Sequence, residues 1–191
     1  MVPDADECYA LLKKYGVPPH IVQHSRVVHD VALCLCQMLN RHGEKLDQAR
    51  VEAGSLLHDI AKMEGLNTGE SHPRAGGLLL SRLGYPEVAE IVRQHVVLDD
   101  GSPQSHITET AVVHYADKRV MHVTVVSLAA RFRDLKKRYG RTSSALAWLE
   151  DLEEKSILLE ERIFQRLPIK PESLNSLAEG TSNFSGEFEN P

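Results

Sequence analysis

Six residues carry side chains that bind divalent metals: His24, the adjacent pair His58-Asp59, His72, His95 and Asp117. The pair closes the apolar run Ala53-Gly54-Ser55-Leu56-Leu57. A buried histidine beside a buried aspartate is costly unless each is paired or bound to something. His24 falls on the same helical stripe as Val28, Val31 and Leu35, which is apolar. His72 begins a segment with Gly76 and Gly77, which permit close helix packing, and His95 ends the run Ile91-Val92-Arg93-Gln94. Asp117 ends Val112-Val113-His114-Tyr115-Ala116. Taken singly, each reads as a packed or ion-paired residue. Taken together they hold both ligand types in apolar or glycine-rich settings, and that set suits Fe, Mn, Zn, Co or Ni.

The order His, then His-Asp, then Asp resembles the HD-domain superfamily of metal-dependent phosphohydrolases. The matching segments are His24-Ser25-Arg26-Val27-Val28, Leu56-Leu57-His58-Asp59-Ile60-Ala61-Lys62 and Tyr115-Ala116-Asp117-Lys118. The resemblance implies that His24, His58, Asp59 and Asp117 hold a first metal. His72 and His95 match two further histidines of binuclear members, which implies two divalent transition metals per chain with Asp59 as the bridge. Such a pair acidifies the water between its metals and neutralises phosphate oxygens, so the implied activity is hydrolysis of a nucleotide or other phosphate ester by a metal-bound hydroxide. The superfamily also contains di-iron oxygenases, and a metal-stabilised interaction module without turnover is a third reading. Among hydrolases, Ala116-Asp117-Lys118 is similar to a segment of enzymes that cleave dinucleoside tetraphosphates symmetrically, although Val96-Val97-Leu98 departs from their threonine-rich stretch. Gly84-Tyr85-Pro86 spells a signature of cyclic dinucleotide phosphodiesterases but precedes His95 instead of following it.

Phosphate oxygens left over by the metals require cations. Lys62 lies one turn beyond the His58-Asp59 pair and can face the same site, where it is the candidate catalytic lysine beside Asp59. Lys118 and Arg119 follow Asp117 directly, and Arg74 is within a turn of His72, so these three are candidate substrate contacts. His114, three residues before Asp117, reads as packing, with support of a ligand as the alternative. His122 sits in an irregular joint and has no assigned role.

These residues need a helical scaffold. The pattern predicts an all-α protein, a single compact helical bundle, with no alternating strand of useful length. Helices are expected from Asp4 or Asp6 to near Gly16, from Pro18-Pro19 to about Gly43, from Asp47 to about Lys62, and from Ser71 to Gly84. Further helices are expected from Pro86 to His95, from Thr108 to about Arg119, from Val125 to Tyr139, and from Thr142 to about Gln165. Residues 99–103 read as a loop. The domain is expected over 1–167, with 168–191 a disordered tail, because that segment has little apolar surface to offset its ordering entropy.

Composition narrows the functional classes. A chain of 191 residues with 42% hydrophobic and 26% charged residues suits one globular domain. A net charge of -5 gives no basic footprint, so a small phosphorylated substrate is expected and no nucleic-acid polymer. No apolar stretch is long enough for a membrane span, and the acidic start Met1-Val2-Pro3-Asp4 lacks the features of a signal peptide. Cys8, Cys34 and Cys36 are odd in number and unsuited to a disulfide framework, which fits a reducing cytoplasm. Leu146, Leu149, Leu152, Ile157 and Leu158 make packing onto the domain the preferred reading of the last helix, with a homodimer surface as the alternative.

Overall fold

The computed structural model describes residues 1–99 and 106–174. Helix α1 (Ala5–Lys14) starts on a reciprocal cap, in which the Asp4 carboxylate accepts from the Glu7 amide and the Glu7 carboxylate accepts from the Asp4 amide. Helix α2 (Pro19–Arg41) opens on proline and buries Ile21, Ser25, Val28, Val31, Ala32, Leu35 and Leu39, a stripe at helical spacing. Helix α3 (Gln48–Leu57) is capped by Asp47. Helices α4 (Lys62–Thr68), α5 (His72–Arg82) and α6 (Pro86–Gln94) follow, then α7 (Glu109–Lys118), capped by Thr108. A hairpin of β1 (Val120–Met121) and β2 (Thr124–Val125) leads to α8 (Leu128–Tyr139) and α9 (Ser143–Phe164).

The fold is the expected all-α bundle, and its core has two parts. One joins α2, α7, α8 and α9 through Leu35, Leu39, Val112, Tyr115, Phe132, Leu159 and Ile163. The other joins α1, α3, α5 and α6 through Cys8, Leu12, Leu56, Leu57, Leu80, Val88 and Val92. Helix α3 packs against both α2 and α6 and gives Val51 to the first part and Ala53, Leu56 and Leu57 to the second, so the two parts meet along it. Gly54 makes that approach possible: a Cβ there would lie 2.6 Å from Ile91 Cγ2. The three thiols are free, as expected.

Four expectations need correction. The third helix stops at Leu57 instead of running to Lys62, and His58 to Ala61 form a turn. The turn is closed by the Ile60 amide on the Leu57 carbonyl and the Lys62 amide on the Asp59 carbonyl, and across it His58 Nε2 stands 3.5 Å from Asp59 Oδ2. Lys62 then opens α4, which has no counterpart among the expected helices; Gly69, with φ 77°, ends it in the left-handed conformation. Val125 belongs to the hairpin, and α8 begins only after Ser127, whose hydroxyl accepts from the Ala130 amide. The packed chain also extends past residue 167. Ile169 lies against the larger core, Pro171–Ser173 forms a 3-10 turn, and Leu174 is buried because its side chain reaches that core. The loop expected over 99–103 lies, beyond Asp99, outside the described residues, as does the tail from 175. On α9, Leu149 and Leu152 are buried, whereas Leu146, Trp148, Ile157 and Leu158 are exposed. No described helix is long and apolar enough to cross a membrane.

Candidate metal centre

The six candidate ligands come from separate elements and converge where the two core parts meet. His24 comes from α2, His58 and Asp59 from the turn after α3, His72 from the first turn of α5, His95 from the end of α6, and Asp117 from the last turn of α7. His24 Nε2 is 3.2 Å from Asp117 Oδ1, and His58 Nε2 is 3.7 Å from the same oxygen and 3.5 Å from Asp59 Oδ2. On the other side, His72 Nε2 is 3.2 Å from Asp59 Oδ1, and His95 Nε2 is 3.5 Å from it. Two ligand groups result, His24-His58-Asp59 and Asp59-His72-His95, each with donor atoms within 4.8 Å of one another. Asp59 belongs to both and offers one oxygen to each side.

Backbone carbonyls aim the rings. His58 Nδ1 donates to Ser55 O at 2.7 Å, His95 Nδ1 to Val92 O at 2.7 Å, and His24 Nδ1 to His122 O at 2.7 Å. With Nδ1 committed as donor, Nε2 is the ring nitrogen left to face the centre, as a ligating imidazole requires; on His24 that nitrogen donates to Asp117 Oδ1 at 3.2 Å. His58 Nε2 is fully buried and has no hydrogen-bond partner among the described residues. An orphaned acceptor in such a place calls for an electrophile, and a divalent metal fits it. Nε2 of His72 and Nε2 of His95 face each other at 3.2 Å, again two nitrogen donors turned toward one point.

Burial and charge set the protonation states. Burial drives the His58 imidazole down to about 4, despite the nearby Asp59 carboxylate, so it is neutral and ready to ligate at neutral pH. Burial likewise lowers His72. For His24, burial is outweighed by the hydrogen bond and charge of Asp117, and its pKa is raised. Burial would raise Asp59, but His58, His72, His95 and Lys62 hold it well below the ordinary carboxylate range. Asp117 is held low against the same penalty by Lys118, His24 and His58.

A family model described as HD domain matches residues 21–167. The chain belongs to the HD domain family. The match begins inside α2 and ends beyond α9, so it contains every candidate ligand described above. Two relatives are both named tRNA (cytidine(56)-2'-O)-methyltransferase. The one from Thermoplasma volcanium is 32% identical over 97 residues, which cover 50% of this chain and 27% of the relative. The one from Picrophilus torridus is 30% identical over 95 residues, covering 49% of this chain and 26% of the relative. The match therefore spans about a quarter of those proteins' length. No solved structure matches the chain.

Within this HD domain the candidate cations have different fates. Lys62 Nζ lies 3.2 Å from both oxygens of Asp59, and its side chain keeps 37% exposure. Lys118 is buried and donates to Asp117 Oδ2 at 2.7 Å and to the His95 carbonyl at 3.1 Å, so it neutralises one candidate ligand and ties down another. Arg74 is exposed on α5 and lines an open cavity of about 510 Å³ with Ser71, Ser81 and Arg93; none of the six ligands lines it. Arg119 does not fit its expected role as a substrate contact. Two residues past Asp117, it points away from the metal centre into the protein. There it donates to Tyr115 Oη, Glu160 Oε2, the Val126 carbonyl and the Pro171 carbonyl. It clamps α7 to α9 and to the segment after it.

Two residues have more to do with the candidate ligands than their sequence context indicates. His114 Nδ1 donates to the His95 carbonyl at 3.0 Å, and burial pushes its pKa down to about 3. Its spacing of three from Asp117 was the legible signal. His122 meets His24 through its backbone oxygen, a contact for which side-chain type and periodicity give no signal.

Proposed function

We propose that this HD domain hydrolyses a phosphate ester, with a nucleotide as the favoured class, through a pair of divalent transition metals. The observation that carries the reading is the shared carboxylate: Asp59 stands between two ligand groups, each of which can hold one cation. When bound, such a pair supplies an acidified water and charge neutralisation at the phosphoryl oxygens. Neutral His58 presents a lone pair, Asp59 joins the two halves, and Lys118 keeps Asp117 ionised. Lys62, part-exposed beside Asp59, is the cation best placed to meet a substrate phosphate, and Arg74 stands further out on α5. The metal could be Fe, Mn, Zn, Co or Ni, since the donor set admits each.

The test is metal analysis of protein purified without chelator or added metal, followed by a panel of nucleotides and simple phosphoesters. Close to two metals per chain and phosphate release support the reading; a chain that cannot be loaded defeats it. Iron content with substrate-dependent oxygen uptake would instead favour the oxygenase alternative.

The name of the relatives favours a second reading, in which the substrate is part of a tRNA. Helix α8 ends in Lys136, Lys137 and Arg138, a local basic stretch on a chain whose net charge is -5. Including tRNA in the panel decides between the two. Salt-sensitive tRNA binding with phosphate release from the polymer would replace the small-molecule reading.

A further inference from the structure

Strands β1 and β2 pair Val120 with Val125 and Met121 with Thr124, so His122-Val123 is a two-residue hairpin turn. Turns of this length need a positive φ at the first loop residue, a position that glycine fills without steric penalty. This chain has histidine there, with φ 57°, and among the described residues it is the one non-glycine with a left-handed backbone. A strained backbone held in place by its surroundings is a pointer to function. Two contacts hold it. Arg138 Nη2 donates to His122 Nε2 at 2.9 Å, and the His122 carbonyl accepts from His24 Nδ1 at 2.7 Å. Arg138 is itself braced by Asp134, whose Oδ1 lies 2.9 Å from its Nε.

We propose that His122 is a positioning residue for the first metal: its left-handed turn, locked by Arg138 from α8, aims a backbone carbonyl at His24 Nδ1 and so turns His24 Nε2 into the centre. The side chain explains why glycine would not do as well. Glycine would allow the turn, but only the imidazole gives Arg138 something to hold. His58 and His95 take their orienting carbonyls from three residues earlier in their own chain segment. His24 alone of these three takes its carbonyl from a distant element, so its aim depends on where the hairpin stands. The inference rests on the metal reading above.

The test compares His122→Val, His122→Gly and Arg138→Met, each in a His72→Ala background so that the first site is titrated alone with zinc. Valine is β-branched and resists positive φ, so it should rotate the carbonyl away; glycine keeps the carbonyl and loses only the clamp. Zinc affinity should fall about 10- to 100-fold with valine, the range for loss of an orienting partner, and only a few-fold, about threefold, with glycine. Arg138→Met should match the glycine variant and add nothing to it when the two are combined. A second readout needs neither metal nor turnover: in metal-free protein the His24 Nδ1–H NMR signal should be protected from exchange in the wild type and lost in His122→Val. Valine that binds zinc as the parent does, or retains the protected proton, overturns the proposal. So do additive losses from Arg138→Met and His122→Gly, a measurement that stands even where the valine variant fails to fold. A wild-type chain that takes up no zinc defeats the metal reading itself, and that titration is complete before any variant is made.

Discussion

Acidifying the metal-free protein should destabilise it well above the pH at which carboxylates titrate. His58 titrates at about 4 in the folded chain against an ordinary 6.5, and His114 at about 3. Both shifts are depressions caused first by burial, so the unfolded chain binds more protons than the folded one between the two values, and stability falls as pH falls through that window. At pH 5 the unfolded His58 is nearly all protonated and the folded one nearly all neutral. The population ratio is about 30, which corresponds to about 2 kcal/mol of lost stability relative to pH 8. His114 gives a similar loss, and lowered His72 has the same sign. His24, with its raised value, works the other way: its contribution is fully present below the unfolded value and is lost as pH rises. Asp59 and Asp117 are held low, so their contribution is lost only below the window. A net loss of about 2 to 4 kcal/mol is a large part of a typical total of about 5 to 15 kcal/mol. Urea unfolding followed by circular dichroism, in chelator, from pH 8 to pH 5, measures it. Replacing His114 with asparagine should remove about half of the slope. A stability that is flat or rising on acidification would refute this account of the buried histidines.

Loading and turnover give three more expectations. His72→Ala should lower the metal content from about two per chain to about one by elemental analysis, because His72 belongs only to the second group; equal loss from both sites would argue against separate positions. Arg119→Met should cost about 3 kcal/mol in chemical denaturation, as removal of one partner from a buried charged cluster does, with zinc affinity in calorimetry unchanged. A loss of zinc affinity with no loss of stability would return Arg119 to the site. Lys62→Met should leave metal content intact and weaken inhibition by inorganic phosphate about tenfold, an exposed cation-to-phosphate contact being about 1 to 1.5 kcal/mol; unchanged inhibition would remove Lys62 from the substrate side.

The candidate ligands were legible because each combines a metal-binding side chain with an apolar neighbourhood, and periodicity placed the half-buried His24 in line with Val28, Val31 and Leu35 of α2. Helices with strong caps and prolines, such as α1, α2, α6 and α7, were readable for the same local reason. Failures came where tertiary demands override the local pattern. The residues from Gln48 to Lys62 read as one helix, yet the chain turns after Leu57, where the buried His58 and Asp59 meet side chains from α2, α5, α6 and α7 that no local pattern encodes. Arg119 looks like Lys118 in sequence; only the position of α9 and the segment after it decides that its guanidinium turns inward. Backbone carbonyls as orienting groups leave no trace in residue type, so the support of His24 by the hairpin was invisible.

The charge balance of the centre explains why Lys62 and Lys118 differ. Without metal, two buried carboxylates are matched by two lysines, one for each: Lys118 on Asp117 and Lys62 on Asp59. Buried charges demand such pairing. Two divalent cations would bring more positive charge than the carboxylates can offset, so a loaded centre favours an anion at its open side. Lys118 is buried and hydrogen-bonded to two protein groups, which fixes it in place. Lys62 sits at the exposed edge on a flexible stem, and its contact with Asp59 is one that a metal on the same oxygens would weaken. The ammonium is then free to follow the incoming negative charge. A phosphate ester meets that demand through its own charge, whereas a neutral substrate would leave the excess positive charge of both metals and Lys62 uncompensated.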